Sequence, residues 1–505
     1  MAFFRDITAY FLVLLGVSTL GPFLFGFHIA ELNAPRAVIT CDQRTATAGS
    51  SFGLPQCIRM NLNQLGLVSS VFTIGGLIGA LAAGPFSTRH GRYRTMLGTG
   101  VFHVLGPVFE ALAGSIATMA FGRLLSGVGA GAALVVVPIY ISELAPPNEK
   151  GFFGALTQIT CNIGIVTTEV LGLFLSHGQY WRIILAAGGA VGLAQTAGLL
   201  LFGQESPKWL AGHDREAEAR QILRKMRGPS ADIEAEIRGW GFSDSNSLDG
   251  EEATLLRSEN DETLSLPDDG SPDIVDQRKA SAKQASRRNL GFFEIFQDAE
   301  ARPAVFVVMV VMLATQLTGI NSVMMYGVDV LAVLLAANSA LLNVGVAVLN
   351  LFVTTGAAPL TDRFGRKTCL LLSVSVMGIS SLFIGFGMAK HIPVMSGVAV
   401  LTFVAGFAFG LGPIPFILST ELVRAEAVGS TQSWALAANW SSTFLVAQFF
   451  PMVNEMLGGG TTYFIFAALA VVFGLFFVVF LPETKGKATV DEVWGRKKPA
   501  SQRED

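Results

Sequence analysis

The sequence predicts an all-α integral membrane protein whose twelve transmembrane helices form two six-helix bundles. Of its 505 residues, 51% are hydrophobic and 14% are charged, whereas soluble domains carry roughly 25% charged residues. Stretches without charge recur, such as 7–27, 60–88 and 331–361, and a bilayer core about 30 Å thick needs about 20 apolar residues per helix. A set of short motifs also appears twice, once in each half of the chain.

Each predicted helix follows from this length and hydropathy criterion. The first begins near the N-terminus, but it lacks a small-residue cleavage site and eleven further spans follow, so we expect it to remain in the protein rather than to be removed as a signal peptide. The predicted spans are 8–30, 64–86, 95–114, 116–141, 152–174, 182–203, 303–327, 336–359, 368–389, 395–419, 430–454 and 460–481.

The repeated motifs occupy equivalent loops of the two halves. Matching motifs in matching places indicate a duplicated transporter. The pairs are Gly84–Arg94 with Ala358–Lys367, Pro138–Pro146 with Pro415–Leu422, and Glu205–Leu210 with Pro482–Gly486.

Charged residues in and near these motifs are candidates for gating. Arginine and carboxylate side chains at the helix ends can form ion pairs that hold the two bundles together on one face and break when that face opens. The alternative is that the basic residues only anchor the topology. The candidate gating charges are Arg89, Arg92, Arg123, Glu143, Glu205, Asp362, Arg363, Arg366, Glu421, Arg424 and Glu483.

The chain divides into an N-terminal bundle (1–203), a central loop (204–302), a C-terminal bundle (303–482) and a tail (483–505). From Asp244 to Asp276 there are eleven acidic residues and one basic residue, so we expect a disordered acidic linker. Short amphipathic helices are predicted beside it at 214–226 and 291–299. Basic residues concentrate in the short loops after spans 2 and 8, which predicts that these loops and both termini are cytoplasmic.

The motifs together resemble the sugar porter family of the major facilitator superfamily, which includes facilitative glucose transporters and proton-coupled relatives. The resemblance implies alternating access around a solute site at mid-membrane. The elements that carry it, in the family's order, are Gly122-Arg123, Pro138–Pro146, Glu205–Leu210, Gln316–Asn321, Asp362–Lys367, Gly412–Pro415 and Pro482–Gly486.

The resemblance also implies the residues that contact the solute. Amide side chains suit a polyhydroxylated solute because they both donate and accept hydrogen bonds. The sequence departs from glucose carriers at Thr315, Phe416, Ala408 and Thr443, where those carriers often have Gln, Trp, an acid and Asn. Glucose is therefore in doubt, and other sugars, polyols and cyclitols stay open. The candidate solute-binding residues are Gln158, Thr315, Gln316, Asn321, Asn350, Phe416, Asn439 and Trp440.

Three ionisable residues are candidates for proton coupling: His28, Glu31 and Glu169. Proton-coupled relatives place Asp at the position of His28 and uniporters commonly place Asn there, so uniport and proton coupling both stay open. Arg123 is the expected partner of Glu31. Alternatively His28 and Glu31 lie at a wet outer mouth, and for Glu169 we expect a solvated mouth position.

Other functions and partners follow from what the sequence contains. A nearly balanced charge, 35 basic against 38 acidic residues, argues against a nucleic-acid partner. The polar segments have no catalytic triad, phosphate loop or metal-ligand spacing, so we expect no enzyme, cofactor or metal, and we place His90, His103, His213 and His391 at loops or span ends. The expected partners are the solute, membrane lipid and, in the coupled case, protons. A nontransporting sugar sensor and a carrier of a non-sugar solute are the alternatives.

Two features bear on location. Glu251, Leu255 and Leu256 match an acidic dileucine pattern that sorting adaptors recognise, which suggests a vacuolar or endosomal membrane, with the plasma membrane as the other destination. Cys41 and Cys57 fall on the predicted noncytoplasmic side and can form a disulfide in either compartment.

Overall fold

The computed structural model describes residues 7–42, 53–146, 149–228, 233–238, 292–332, 339–424, 427–458, 460–487 and 490–496. Ten of its helices are long and apolar enough to cross a membrane. Two further helices, which are less apolar, span 20 residues at Arg92–Ala111 and 29 residues at Val428–Met456 and bring the number of long helices or interrupted helices to twelve. The predicted twelve-helix all-α membrane fold is confirmed. The acidic linker and the dileucine pattern lie outside the described residues.

The first bundle contains six crossing helices, which we number α1 to α6. They are Ala9–Ala30, Leu62–His90, Arg92–Ala111, Ile116–Leu144, Lys150–Leu175 and Trp181–Phe202. Short helices lie at Arg36–Ile39, Pro207–Ala211, Glu216–Arg227 and Ile233–Arg238.

The second bundle contains α7 to α12, of which two are interrupted. Helix α7 runs over Arg302–Leu317 and resumes as Ile320–Met324, and α10 runs over Pro393–Gly406, a π-helical turn at Phe407–Leu411, and Ile414–Glu421. The remaining crossings α8, α9, α11 and α12 are Ser339–Phe364, Arg366–Ala389, Val428–Met456 and Thr462–Phe480. Shorter elements are Gly327–Ala332, a 3-10 turn at Glu294–Phe296, and Val490–Val493.

The break in α7 corrects the sequence prediction of one continuous span over 303–327. Gly319 has a φ of 99°, a left-handed conformation that glycine adopts without steric penalty. In the central loop, the helix predicted at 214–226 is present as Glu216–Arg227. The helix predicted at 291–299 is corrected, because its described residues hold only the 3-10 turn Glu294–Phe296.

Glycines determine how closely the helices of the first bundle approach. A Cβ at Gly131 of α4 would lie 2.0 Å from the carbonyl oxygen of Gly76 on α2, and a Cβ at Gly26 of α1 would lie 1.9 Å from that of Cys161 on α5. Small residues allow such backbone contact between membrane helices. These contacts bring α4 against α2 and α1 against α5.

The two bundles touch along α2 with α11 and along α5 with α8. Ser70 of α2 donates a hydrogen bond of 2.7 Å to the Oε1 atom of Gln448 on α11. Phe72 and Ala80 of α2 pack with Leu436 and Trp440 of α11 in one apolar cluster. The interface is therefore mostly apolar, which suits two bodies that move against each other.

The two faces of the molecule are told apart by the loops that they carry. We call the side with the Gly84–Arg94 and Ala358–Lys367 loops the basic face and the other side the opposite face. On the opposite face a disulfide joins Cys41 to Cys57, and the Ile58 N–H donates to the carbonyl oxygen of Ile39 at 2.8 Å. The disulfide that the sequence allowed is thus present.

The central loop is attached to both bundles. Thr8, at the start of α1, donates hydrogen bonds to the carbonyl oxygens of Lys225 and Met226 in the helix Glu216–Arg227. At the other end, Trp434 of α11 donates from Nε1 to the carbonyl oxygen of Phe292 at 2.8 Å, and the two rings stack with centroids 4.4 Å apart. The first described part of the loop therefore belongs to the first bundle and the last part to the second.

We predict that Gly131→Ala lowers the apparent melting temperature of the purified protein in detergent, because the new Cβ meets backbone that cannot move aside. The matched control is Gly98→Ala on α3, where a Cβ meets nothing within 4 Å. Replacing that glycine is neutral or stabilising, since glycine in a helix costs about 0.5–1 kcal/mol relative to alanine. Equal melting temperatures for the two variants would show that α2 and α4 separate without penalty.

Candidate functional site

A cluster of ionisable side chains lies inside the first bundle. We call it the charge cluster, and it consists of His28 and Glu31 from α1 and its C-terminal end, His103 and Glu110 from α3, and Arg123 from α4. Each side chain is at most 1% exposed. Ionisable groups at this depth must find partners inside the protein because lipid offers none.

Arg123 and Glu31 form the central ion pair of the charge cluster. The Nη1 atom of Arg123 lies 2.5 Å from Oε1 of Glu31 and donates to the carbonyl oxygen of His28 at 2.7 Å. The other carboxylate oxygen of Glu31 is 2.9 Å from Nδ1 of His28. The expected partnership of Arg123 with Glu31 is present, and the alternative that His28 and Glu31 lie at a wet outer mouth is wrong.

Sequence analysis missed Glu110 and misplaced His103. Ser126 of α4 donates to Oε1 of Glu110 at 2.6 Å, and the Nδ1 atom of His103 is 3.2 Å from Oε1 of Gln195 on α6. The expectation that His103 lies at a span end is wrong, because α3 begins at Arg92 and places it mid-helix. Glu110 is the single acid in the predicted span 95–114, a signal that could have identified it.

The charge cluster is not arranged as a metal site. Two imidazoles and two carboxyl groups lie near one another, but among the described residues no group of three His, Cys, Asp or Glu side chains is placed to bind a metal ion. The rings of His28 and His103 are 6.3 Å apart at their centroids, and each Nδ1 atom already faces an oxygen of Glu31 or Gln195.

Aromatic rings connect the charge cluster to the second bundle. The guanidinium carbon of Arg123 lies 4.4 Å from the ring centroid of Phe72, a cation–π geometry. Phe72 contacts Trp440 of α11 at 6.2 Å between centroids, and Trp440 also meets Phe25 of α1 at 5.8 Å. Trp440 thus joins the bundles directly beside the charges.

The second bundle brings four of the predicted solute-binding residues together in pairs. Asn439 donates from Nδ2 to Oγ1 of Thr315 at 2.9 Å. Asn321 donates from Nδ2 to Oε1 of Gln316 at 2.5 Å, an approach that the helix break at Gly319 permits. These pairs are buried or partly buried polar groups on α7 and α11, and Asn439 is the residue next to Trp440 in the sequence of α11.

The other predicted solute-binding residues make separate contacts. Gln158 of α5 donates to Oδ1 of Asn162 at 3.3 Å, and Asn350 of α8 accepts from Thr354 at 3.3 Å. Phe416 of α10 is 38% exposed. Within the described part of the chain, none of these three makes a hydrogen bond to the paired amides on α7 and α11.

Two positions that depart from glucose carriers are closed to polar contact. Ala408 is 1% exposed and lies in the π-helical turn of α10. Thr443 donates its hydroxyl to the carbonyl oxygen of Asn439 at 2.8 Å, so that donor is already used. Both features leave this side of the site less polar than the amides on α7.

A polar bridge joins the bundles near the opposite face, and we call it the Asn33 bridge. Asn33 donates from Nδ2 to Oε1 of Glu169 on α5 at 2.9 Å and to the carbonyl oxygen of Met324 at 3.2 Å. Its Oδ1 atom accepts from the N–H of Val328 at 3.1 Å. Glu169 is 2% exposed, so the expectation of a solvated mouth position for this acid is wrong.

On the basic face of the first bundle, Glu205 caps the N-terminus of α3. Its Oε1 atom accepts from the N–H groups of Arg92 at 2.7 Å and Tyr93 at 3.2 Å. Arg92 in turn binds Glu143 through two parallel bonds of 2.9 and 2.8 Å. Burial raises the pKa of Glu205, and the N–H groups that it accepts from oppose that shift.

The second bundle repeats this arrangement. Glu483 accepts from the N–H groups of Arg366 at 2.9 Å and Lys367 at 3.1 Å, and Arg366 pairs with Glu421 at 3.0 Å. Gly91 and Gly365 precede the capped helices with nearly equal φ values of 95° and 93°, and a Cβ at either would lie within 2.7 Å of the capping carboxylate. We call the two arrangements the basic-face latches.

The ion pairs of the latches lie within single bundles, and a role of these charges in gating stays a prediction. Arg92 with Glu143 and Arg366 with Glu421 are each pairs within one bundle, and the ranges that the structure describes contain no ion pair between the bundles on the basic face. Arg424 likewise pairs with Glu300 and with Asp491, on its own side. These ion pairs stabilise each bundle rather than holding the two together.

Two of the remaining gating candidates take no part in the ion pairs of the latches. Arg89 and Arg363 are exposed, and neither forms an ion pair with a described residue. The side chain of Asp362 lies outside the described residues.

Comparisons with known proteins agree along almost the whole chain. A family described as sugar (and other) transporter matches residues 14–260 and 248–494. A probable metabolite transport protein of Saccharomyces cerevisiae is 32% identical, with 95% of this chain and 93% of that protein covered. The vacuolar protein sorting-associated protein 73 of the same yeast is 28% identical, with 93% of both covered.

More distant relatives extend the comparison to animals and to solved structures. Facilitated glucose transporter member 3 of solute carrier family 2 from Homo sapiens is 28% identical, with 96% of this chain and 92% of that protein covered. The xylose transporter of E. coli, in a partially occluded inward-open conformation, superposes with a TM-score of 0.72 at 22% identity, covering 95% of this chain and 100% of that one. This last likeness shows a shared fold.

We predict that Glu205→Ala lowers the apparent melting temperature in detergent, because it leaves N–H groups at the start of α3 without their acceptor, at about 1–3 kcal/mol for a buried group. Glu205→Gln retains an amide oxygen and should lose less. The control is Glu218→Ala, an acid whose side chain is 52% exposed on the same face and whose loss should leave the melting temperature unchanged. An equal loss in the control would refute the capping role.

Proposed function

This chain belongs to the sugar (and other) transporter family, and from that premise we propose that it carries a sugar or a related polyhydroxylated solute across a membrane by alternating access. The observation that carries the proposal is the set of hydrogen-bonded amides on α7 and α11, whose Asn439 is followed by Trp440, the residue that contacts Phe72 of the first bundle. A nontransporting sensor is not favoured, since the family is one of carriers.

The solute is proposed to bind Gln158, Gln316, Asn321, Asn350, Asn439 and Trp440. In this structure the amides of Gln316 and Asn321 bond to each other, so a solute hydroxyl group that both donates and accepts can replace that bond without leaving a buried polar atom unpaired. The Nε1 donor of Trp440 is buried and has no partner among the described residues. A hydroxyl or ring oxygen of the solute would satisfy it.

The proposed solute class includes sugars other than glucose, polyols and cyclitols. The names of relatives refer to glucose in an animal protein and to a metabolite in a yeast protein. Phe416, Ala408 and Thr443 offer an apolar face, a methyl group and an engaged hydroxyl where a glucose site offers more polar atoms. We therefore propose a sugar, polyol or cyclitol with fewer polar contacts on the α10 side.

Alternating access is supported by where the bundles are joined. The Asn33 bridge links them near the opposite face, whereas the ion pairs of the basic face stay within each bundle. We propose that residues 1–203 and 303–482 move as two bodies about the segment 204–302, with 483–505 as a tail. This structure would then be the state closed at the opposite face.

The membrane orientation and location are also proposals. The basic loops favour a cytoplasmic basic face with both termini on that side. One yeast relative is named for vacuolar protein sorting, and the acidic dileucine pattern of the central loop points the same way. We propose a vacuolar or endosomal membrane, with the plasma membrane as the alternative that localisation of a tagged full-length chain would distinguish.

Transport is proposed to be coupled to protons through the charge cluster. His28, Glu31 and Arg123 are buried and in contact, and Arg123 reaches the second bundle through Phe72 and Trp440. A change of protonation therefore acts on a side chain that touches the proposed solute site. Glu169 is a second candidate, because it is buried in the Asn33 bridge and has no ion pair within the described ranges.

The test of this function is uptake by purified protein in liposomes of labelled hexoses, pentoses, polyols and inositol, with and without an imposed pH gradient. Saturable uptake of one class establishes the carrier. Accumulation above equilibrium under the gradient establishes coupling, whereas uptake indifferent to the gradient establishes uniport. Folded protein that moves none of these compounds would refute the proposed solute class.

We predict that Gln158→Ala and Asn321→Ala each abolish uptake of the solute found in that panel, because each removes an amide that the solute needs as donor and acceptor. Both variants should elute as monodisperse protein in detergent. Gln297→Ala, which truncates an exposed amide of the central loop, is the control and should transport normally. Full activity of both site variants would mean that the solute binds elsewhere.

We predict that Asn33→Ala shifts the protein towards a state open at the opposite face, since it removes three hydrogen bonds of about 0.5–1.5 kcal/mol each. Spin labels on Tyr180→Cys and Met456→Cys, exposed positions of the two bundles on that face, would report a larger share of long distances. Asn454→Ala, which removes a bond to Thr462 within the second bundle, is the control. An unchanged distance distribution in Asn33→Ala contradicts a bridging role.

A further inference from the structure

We propose that Glu110 of α3 shares one proton with Glu31, and that release and rebinding of this proton is the step that couples a pH gradient to solute movement. The proposal rests on the proposed function in one respect, the coupling of transport to protons. It adds a residue that sequence analysis did not identify and assigns the proton to a pair of carboxyl groups rather than to His28.

The first argument is the charge count of the charge cluster. The groups that act on Glu110 are Arg123 of α4 and Glu31 and His28 of the α1 segment. His103, on the same helix as Glu110, lies next to His28, and Gln195 of α6 bonds to His103 and is neutral. With both acids ionised and both imidazoles neutral, the cluster carries one negative charge in excess. An uncompensated ion in such a place costs several kcal/mol, and one bound proton removes it.

The second argument is hydrogen bonding, and it places that proton. Oε1 of Glu110 accepts from Ser126, but Oε2 is buried and meets no donor in the described part of the chain. The carboxyl group of Glu31 lies within hydrogen-bonding reach. Ionised carboxylates only accept, so two of them can bond only when one carries a proton.

Placing the proton on His28 would also neutralise the excess charge of the cluster, but it is less favourable than placing the proton on the carboxyl pair. That arrangement would hold two cations and two anions in a site that is at most 1% exposed, and every buried ion adds a desolvation penalty. It would also leave Oε2 of Glu110 without a donor. The carboxyl pair holds the same proton with one cation and one anion.

The packing of α3 against α4 shows why Glu110 can occupy this position. A Cβ at Gly122 of α4 would lie 2.5 Å from Cγ of Glu110, and a Cβ at Gly106 of α3 would lie 2.2 Å from Oγ of Ser126. Both glycines leave room for the carboxyl group and for its hydroxyl donor. Gly122-Arg123 therefore provides both the space for Glu110 and its countercharge.

The chemical step is a simple proton transfer. The O–H bond of the shared proton breaks, the proton passes to water on the side to which the cluster opens, and the electron pair stays on the carboxylate. Arg123 then faces two carboxylates in place of one. Since its guanidinium stacks on Phe72, which contacts Trp440 of α11, this rearrangement acts directly on the contact between the bundles.

The test compares wild type, Glu110→Gln and Glu110→Asp in liposomes with two measurements on each. The first is exchange of labelled for unlabelled solute at equal pH, which needs no net proton movement. The second is accumulation under a pH gradient. We expect Glu110→Gln to retain exchange and to fall to the equilibrative level under the gradient, whereas Glu110→Asp, which can still bind a proton, retains both.

A third measurement does not depend on transport. Infrared difference spectra of the purified protein between acid and neutral pH should show the carbonyl band of a protonated carboxyl group in the wild type, and Glu110→Gln should lose it. Glu110→Gln that still accumulates solute, or that keeps the band, overturns the proposal. If the wild type exchanges solute but never accumulates it, proton coupling and this proposal are both refuted, while the carrier function stands. If the wild type shows no exchange, the proposed solute class is refuted.

Discussion

A charge inside a membrane protein has to find its countercharge in the protein itself, and the first bundle is arranged around that constraint. Arg123 is 1% exposed, and its guanidinium group contacts a carboxylate, a backbone carbonyl group and an aromatic ring from two other helices. The glycines of α1, α2 and α4 allow the approach that these contacts require. The close packing of the helices at their glycines and the ion pair of Arg123 with Glu31 therefore depend on each other.

The two bundles share one arrangement at the basic face. Each must keep a basic loop ordered at the membrane surface, and each uses a carboxylate from a loop after its sixth helix to cap its third helix. Because these latches are internal to each bundle, the bundles can separate on the basic face without breaking them. Movement between the bundles then depends on apolar contacts and on the Asn33 bridge, which are easier to exchange.

How much the sequence could predict depended on the kind of signal. Helix number and the duplicated loops follow from hydropathy and spacing, because these signals are local. The pairing of Arg123 with Glu31 follows from the resemblance to the sugar porter family. The break at Gly319 and the burial of Glu169 were not predicted, since the first depends on a backbone conformation and the second on a tertiary contact with Asn33. Glu110 could have been identified as the single acid of its predicted span, but the sequence does not show which side chains surround it.

The ion pairs of the latches illustrate the same limit. Sequence indicated that arginines and carboxylates of the motifs would pair, and they do, but whether a pair lies within a bundle or between bundles is a property of the tertiary structure.

The attachment of the central loop has a mechanical consequence. Its first helix is bonded to Thr8 of the first bundle and its last aromatic residues are stacked on Trp434 of the second. As the bundles rock, the separation of these two anchorage points changes once in every cycle. The chain between these two attachment points, residues 228–292, connects the two bundles, so its contour length sets an upper limit on how far the attachment points can separate.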